Sequence, residues 1–420
     1  MKVLISKSEI NGRVQAPPSK SYTIRALMCA GLAGGESRII NVLEADDSIA
    51  ACECLSRIGV KIEKGDNFLD VTGGNFQCDG SDIFCHDSAA TLRFLAAICS
   101  AIPGKFRLTA GKSLSRRPVG ALITALRQLG IDCSASGEFP PVTINGGTLR
   151  GGRVLLPGNI SSQFVSALLL AAPLASGDTV ISLTTPLESR PYVLMTMECM
   201  RHFGVRVEAT HDLKEYHITP QHYIPATYRV EGDWSSVSYL LALGALTGSV
   251  TVTGVNPHSL QADRRIIDLL SDMGVTVEVG QDTVTVYRSR LKAIDADLSD
   301  CIDLFPTVAV MAAVGRGTSV LRGIDRARIK ESDRVTAVRE GLERMGVEVE
   351  EKPGALVIRG TLPTGAEIDP HADHRIAMAF GALGAFTGGV TILQAECVDK
   401  TYPDYWDVFQ SIGGRLKTDE

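Results

Sequence analysis

Six stretches of the chain share one alternation of polar and apolar positions. Each opens on a polar turn and runs through a helix-length block of Ala, Gly and Leu, apolar nearly all round. Each then passes a glycine into a β-branched strand. They read SKSYTIRALMCAGLAGGESRIINV, DSAATLRFLAAICSAIPGKFRLTA, SSQFVSALLLAAPLASGDTVISL, WSSVSYLLALGALTGSVTVTGV, LFPTVAVMAAVGRGTSVLRGI and DHRIAMAFGALGAFTGGVTIL. Counted from Ser21, Ser88, Ser161, Ser235, Pro306 and His374, the starts are 67, 73, 74, 71 and 68 residues apart. A period of that kind marks one supersecondary unit repeated along the chain. A second half-unit follows each copy: a helix amphipathic at its own period, a glycine, then strands, as in CLSRIGVKIEKGDNFLDV and LERMGVEVEEKPGALVI. The sixth, FQSIGGRLKTDE, is short.

The full unit reads strand–helix–strand–strand–helix–strand. A helix apolar on every side predicts complete burial, and the amphipathic one predicts a single solvent face. The fold class is therefore α/β, as a two-domain inside-out barrel with three βαββαβ units per domain, buried helices and outer sheets. One domain takes residues 1–15 plus 229–420 and the other 16–228, with hinges near 13–17 and 226–230. The short sixth copy predicts that the N-terminal strand, Lys2–Ser6, completes the last sheet.

Composition narrows the setting. A chain of 420 residues has room for two or more cores. No apolar run reaches the length of a membrane span, and MKVLISKSEINGRVQ places charges where an export signal needs its apolar core. A cytoplasmic location is expected. The ten cysteines are scattered without a CxxC pair and read as reduced core thiols, with no metal site expected. A net charge of −6 without a basic tract argues against nucleic acid as a partner.

The chemistry lies where the copies differ, at the turns that open the buried helices. These carry Ser19-Lys20-Ser21 with Arg25; Asp87-Ser88 with Arg93; Ser161-Ser162-Gln163; Asp233-Trp234-Ser235-Ser236; Asp303 with Pro306; and Asp373-His374-Arg375. Ser and Asp there are ordinary N-caps, but free N–H groups also make helix starts ready anion sites. A cation at such a start opposes the macrodipole by a few tenths to about 1 kcal/mol. A bound anion reverses that sign. Further cations sit in GKSLSRRPVG (Arg116, Arg117), IDRARIKESDRV (Arg326, Arg328, Lys330, Arg334, with Glu331) and DKTYPDYW (Lys400). Lys330 and Arg334, four apart, share a face if that segment is helical. Lys20, Arg25, Arg93, Arg117, Lys330, Arg334, Arg375 and Lys400 are thus candidates to meet a ligand with at least two anionic groups. Walker A and GxGxxG sequences are absent, so magnesium-held phosphate as in a kinase is not expected.

SKSYTIRAL, SSQFVSALLL, RIKESDR, DHRIAMAF and DKTYPDYW, in that order through nearly the whole chain, resemble the 5-enolpyruvylshikimate-3-phosphate synthases. The resemblance implies transfer of the enolpyruvyl group of phosphoenolpyruvate to the 5-hydroxyl of shikimate 3-phosphate, with release of phosphate and no cofactor. It implies two domains that close on these ligands; a monomer is expected. For shikimate 3-phosphate it implies Lys20, Ser21, Arg25, Ser161, Ser162, Gln163, Ser189, Asp303 and Lys330. For phosphoenolpyruvate it implies Lys20, Ala89, Arg117, Gln163, Arg334, Arg375 and Lys400. Glu331 matches the acid at the methylene, Asp303 is the choice for the base at the 5-hydroxyl, and Lys20 reaches both ligands. Asp87, Ala89 and Ala90 replace the family's Asn, Gly and Thr, and Arg326 stands where many members have Asn. The alternative is a UDP-N-acetylglucosamine enolpyruvyl transferase, which typically has Lys-Asn at Lys20-Ser21 and a cysteine in the loop where residues 112–117 have none. A non-catalytic anion-binding repeat protein is the reading from another class.

Overall fold

The computed structural model describes residues 1–147 and 149–419. The α/β chain forms two compact units, one of Met1–Pro17 with the residues from Glu231 onward, the other Pro18–Val230. Each unit holds three four-stranded sheets. The unit Pro18–Val230 contains the buried helices Lys20–Leu32, Ala89–Ile98 and Ser162–Ala171. The other contains Trp234–Thr247, Phe305–Ala312 and His374–Thr387. Every residue of Trp234–Thr247 is buried, which explains why these helices use Ala, Gly and Leu and carry long charged side chains only in their first two turns.

Within a repeat the order is strand–helix–strand–helix–strand–strand, which corrects the expected strand–helix–strand–strand–helix–strand. One repeat runs Gly152–Leu156, Ser162–Ala171, Thr179–Leu183, Arg190–His202, Glu208–Ala209 and Glu215–Ile218. The reason lies in pairing. Gly152–Leu156 and Thr179–Leu183 are parallel, and parallel neighbours need a crossover, here the buried helix. The last two strands are antiparallel and can be joined by a tight turn. In the first repeat that turn is residues 65–67, too short for a helix between Lys61–Lys64 and Phe68–Gly73. Each sheet is then ordered first–second–fourth–third.

Lys2–Ser6 fills the fourth-strand place of the sixth repeat. It lies antiparallel between Val390–Ile392 and Arg415–Asp419, with Val3 and Ile5 fully buried. Two further strands are exchanged between distant repeats: Asn11–Gln15 pairs with Ser249–Thr253, and Thr227–Arg229 with Gly35–Ile40, both parallel.

The closing strand of a repeat ends against the C-terminus of its buried helix. A Cβ on Gly73 would lie 2.3 Å from the Gly31 carbonyl oxygen, and one on Gly146 2.0 Å from that of Cys99. No side chain can enter there without moving backbone. Gly73→Ala should therefore destabilise the protein by about 1–3 kcal/mol, read as a lower urea midpoint at unchanged slope. An unchanged midpoint would mean that the helix end yields freely.

Candidate active site

In the unit Pro18–Val230, Lys20 is the first residue of its helix, behind the N-cap Ser19. Its Nζ lies 2.9 Å from Asp47 Oδ2, and Asp47 sits buried in the first turn of Asp46–Arg57. A carboxylate thus offsets the dipole that Lys20 opposes. Asp47 was not singled out from sequence, because an acid opening a helix reads as an ordinary dipole partner. Ser88 Oγ donates to the Asp47 carbonyl, 3.3 Å away. Asp87 accepts the Leu114 amide at 2.8 Å and so fixes the loop that leads to buried Arg117. Ala89, also buried, is the first residue of the next helix.

Arg93 organises the neighbouring turn. Its guanidinium donates to Gln163 Oε1 at 2.7 Å, Ser161 Oγ at 3.4 Å and the Pro118 carbonyl at 2.9 Å. It thereby joins the Ser161–Gln163 turn to the loop carrying Arg117. Arg25 makes a comparable tie, donating to Thr196 Oγ1 at 2.8 Å and to the carbonyls of Ser21 and Tyr192 at 2.9 and 3.1 Å. Burial pulls its pKa down. Ser189 precedes Arg190–His202 with φ 53° and ψ 43°, buried and left-handed. That conformation costs a non-glycine residue about 1–3 kcal/mol and marks a position held by its surroundings.

In the other unit the centre is Arg334, whose side chain is 1% exposed. Its Nη1 lies 2.7 Å from Asp303 Oδ1, its Nη2 2.6 Å from Glu331 Oε2 and its Nε 2.8 Å from Asp373 Oδ2. Burial opposes its charge, but the carboxylates of Asp373, Glu331 and Asp303 outweigh that and raise its pKa further. Asp303 also meets Lys330 Nζ at 3.3 Å and Arg375 Nη2 at 3.2 Å. Burial would raise the Asp303 pKa, yet Arg375, Lys330 and Arg334 together hold it well below the usual carboxylate range. Lys330 is pushed down to about 8 by burial first, against the pull of Asp303.

The helical face expected for Lys330 and Arg334 is not what joins them. Arg334 opens its helix behind the N-cap Asp333, and Lys330 lies outside it, after a 3₁₀ turn. They meet because both reach Asp303. Lys400 ends the 3₁₀ turn Ala395–Lys400, which packs against His374–Thr387. Asp263 is a further buried acid that sequence did not single out. Ser235 Oγ donates to it, and burial, then the Asp303 charge, raises its pKa to about 7. QADRR offered no more than a short turn with an acid.

The chain is similar to known proteins over nearly its whole length. The family model described as EPSP synthase (3-phosphoshikimate 1-carboxyvinyltransferase) matches residues 5–409. A 3-phosphoshikimate 1-carboxyvinyltransferase of Dehalococcoides mccartyi is 48% identical, over 100% of both chains. One of Methanospirillum hungatei is 41% identical, over 94% of this chain and 95% of its own. The solved EPSP synthase of Acinetobacter baumannii superposes with a TM-score of 0.84 at 26% identity, covering 99% of this chain and 100% of that one.

Arg334→Met should leave Asp373, Glu331 and Asp303 without their shared cation and cost about 3–5 kcal/mol of stability. Thermal melting at pH 7 measures it. The deficit should shrink towards pH 4 as carboxylates, no longer held ionised, take up protons.

Proposed function

The chain belongs to the EPSP synthase family, and from that premise we propose how its residues carry out the family reaction. The two compact units are taken as the family's two inside-out domains, 1–15 with 229–420 and 16–228, hinged near 13–17 and 226–230. The observation that carries the catalytic reading is that Asp303 and Glu331 occupy two nitrogens of one buried guanidinium, Arg334. A base and an acid are thus held at fixed separation beside a cation that stabilises charge formed between them.

Asp303 takes the proton of the 5-hydroxyl as it attacks, and Glu331, which takes up a proton once a bound anion replaces it on Arg334, protonates the methylene of phosphoenolpyruvate. The two exchange roles as the tetrahedral adduct expels phosphate. Asp303 is a weak base while three cations face it. An anion bound against Arg375, Lys330 and Arg334 offsets those charges, so its basicity rises when ligand is present.

On the unit Pro18–Val230 we assign Lys20, Ser21, Arg25, Ser161, Ser162, Gln163 and Ser189 to shikimate 3-phosphate, and Ala89, Arg117 and again Lys20 and Gln163 to phosphoenolpyruvate. On the other unit Asp303 and Lys330 are assigned to the first ligand and Arg334, Arg375 and Lys400 to the second. Arg25 and Arg93 already bind protein acceptors, which supports an orienting task for both. The reading of a cytoplasmic monomer stands with this proposal; among the described residues no helix is long and apolar enough to cross a membrane. A UDP-N-acetylglucosamine substrate is not favoured, since the curated relatives compared above carry the shikimate name.

Lys20→Ala should abolish phosphate release from the two substrates while leaving the circular dichroism spectrum unchanged. Asp303→Ala and Glu331→Ala should each lower kcat by about two to four orders of magnitude. Near-normal turnover in any of the three overturns its assignment.

Lys330 is charged below its pKa of about 8 and neutral above it. Affinity for shikimate 3-phosphate, measured by calorimetry, should therefore fall as pH rises through about 8. Lys330→Arg should carry tight binding to higher pH, because guanidinium stays charged. The same falling limb in that variant excludes Lys330 as its source.

A further inference from the structure

Three buried helices end together on the unit that contains Arg334, and two adjoining concavities of ≈ 440 and ≈ 460 Å³ lie at those ends. They share Leu246, Arg288 and Phe386. The floor comes from all three helices: Leu246 in Trp234–Thr247, Phe386 in His374–Thr387, and Val314 just past Phe305–Ala312. Lys7, Arg288, Arg290, Arg316 and Arg415 line the walls, against one acid, Glu9.

This basic lining is unusual for the molecule. The net charge is −6, and several arginines on other strands are paired, as in Arg38–Asp70, Arg153–Glu215, Arg322–Asp295 and Arg359–Glu348, although among the described residues Arg13 and Arg229 are not. None of the five groove cations has an ion-pair partner among the described residues. Capping of the helix ends does not account for them. The Ala245, Ala313 and Ala385 carbonyls already accept the amides of Ser289, Thr361 and Ser8 at 3.1, 2.9 and 2.8 Å. Nor does the repeat require Arg316, the groove cation that lies in a turn after a buried helix. The turns after the three buried helices of the other unit read Gly34-Gly35-Glu36, Pro103-Gly104-Lys105 and Ser176-Gly177-Asp178, two acids and one lysine.

We propose that this groove binds an organic polyanion, two or more phosphate or carboxylate groups on a flat apolar body, of about nucleoside triphosphate size. Five cations around one acid call for more than one anionic group, and arginine forks suit phosphate and carboxylate oxygens. The Leu246–Val314–Phe386 floor calls for an apolar body. The two volumes fall within the range of about 300–1,000 Å³ usual for ligand pockets. The site stands apart from the helix starts that carry Asp303 and Arg375, so it is separable from the catalytic residues.

ATP and inorganic tripolyphosphate serve as probes on the full chain, followed by calorimetry and hydrogen–deuterium exchange. ATP should slow exchange in residues 286–291 and 313–318. Its affinity should fall about tenfold in each of Arg288→Ala and Arg316→Ala, the usual loss for one charge-assisted contact. Both arginines are exposed, and turnover should not change in either variant. Tripolyphosphate, lacking the apolar body, should bind more weakly than ATP. Any one of four results overturns the proposal: no ATP binding, equal affinity for the two probes, unchanged binding in both variants, or protection confined to the segments of Lys20, Arg117 and Arg375.

Discussion

A helix buried on every side can carry charge only near its ends, and the rest of this structure follows from that constraint. Six helices built from Ala, Gly and Leu supply the cores, so their flanks are closed to ligand chemistry. Function is pushed into the first turn, where N–H groups are free and sequence can vary without disturbing packing. Lys20, Gln163 and Arg375 stand in first turns. Arg25 and Arg93 sit about one turn further in, and side chains on a helix lean towards its N-terminus, which brings both guanidinium groups back to the same level. One scaffold can therefore be copied six times while each copy carries different polar residues.

The electrostatic arrangement is equally constrained. A buried guanidinium without counter-ions would be prohibitively unstable, and Arg334 has three. Asp303 in turn faces three cations, so each charge in the network is held by several others. Anion binding in such a setting is an exchange. A ligand competes with resident carboxylates for the same cations, which favours ligands able to replace several contacts at once.

Much of this was legible in the residues. The repeat, the buried helices and the borrowed strand Lys2–Ser6 follow from periodicity and from one short copy. The order of strands within the repeat did not, because a run of β-branched residues does not say whether its neighbour is parallel, and pairing alone decides where the second helix falls. At the site, cations stood out as misfits at helix starts, while their partners did not. Asp47 and Asp263 have unremarkable sequence settings, and only tertiary placement makes one the partner of Lys20 and leaves the other with its pKa raised to about 7. Roles for Asp303, Glu331 and Ser189 came from the family resemblance rather than from pattern.

The strand Lys2–Ser6 is central in its sheet, flanked on both sides by segments from the far end of the chain. A ribosome makes that strand long before its two neighbours. At about 5–20 residues per second it waits on the order of half a minute before either partner exists. Residues 18–230 emerge in the meantime as a contiguous stretch able to complete their own sheets. Birth order and assembly order are therefore opposed in one half of the molecule, and Val3 and Ile5, destined for full burial, spend that interval without the strands that cover them.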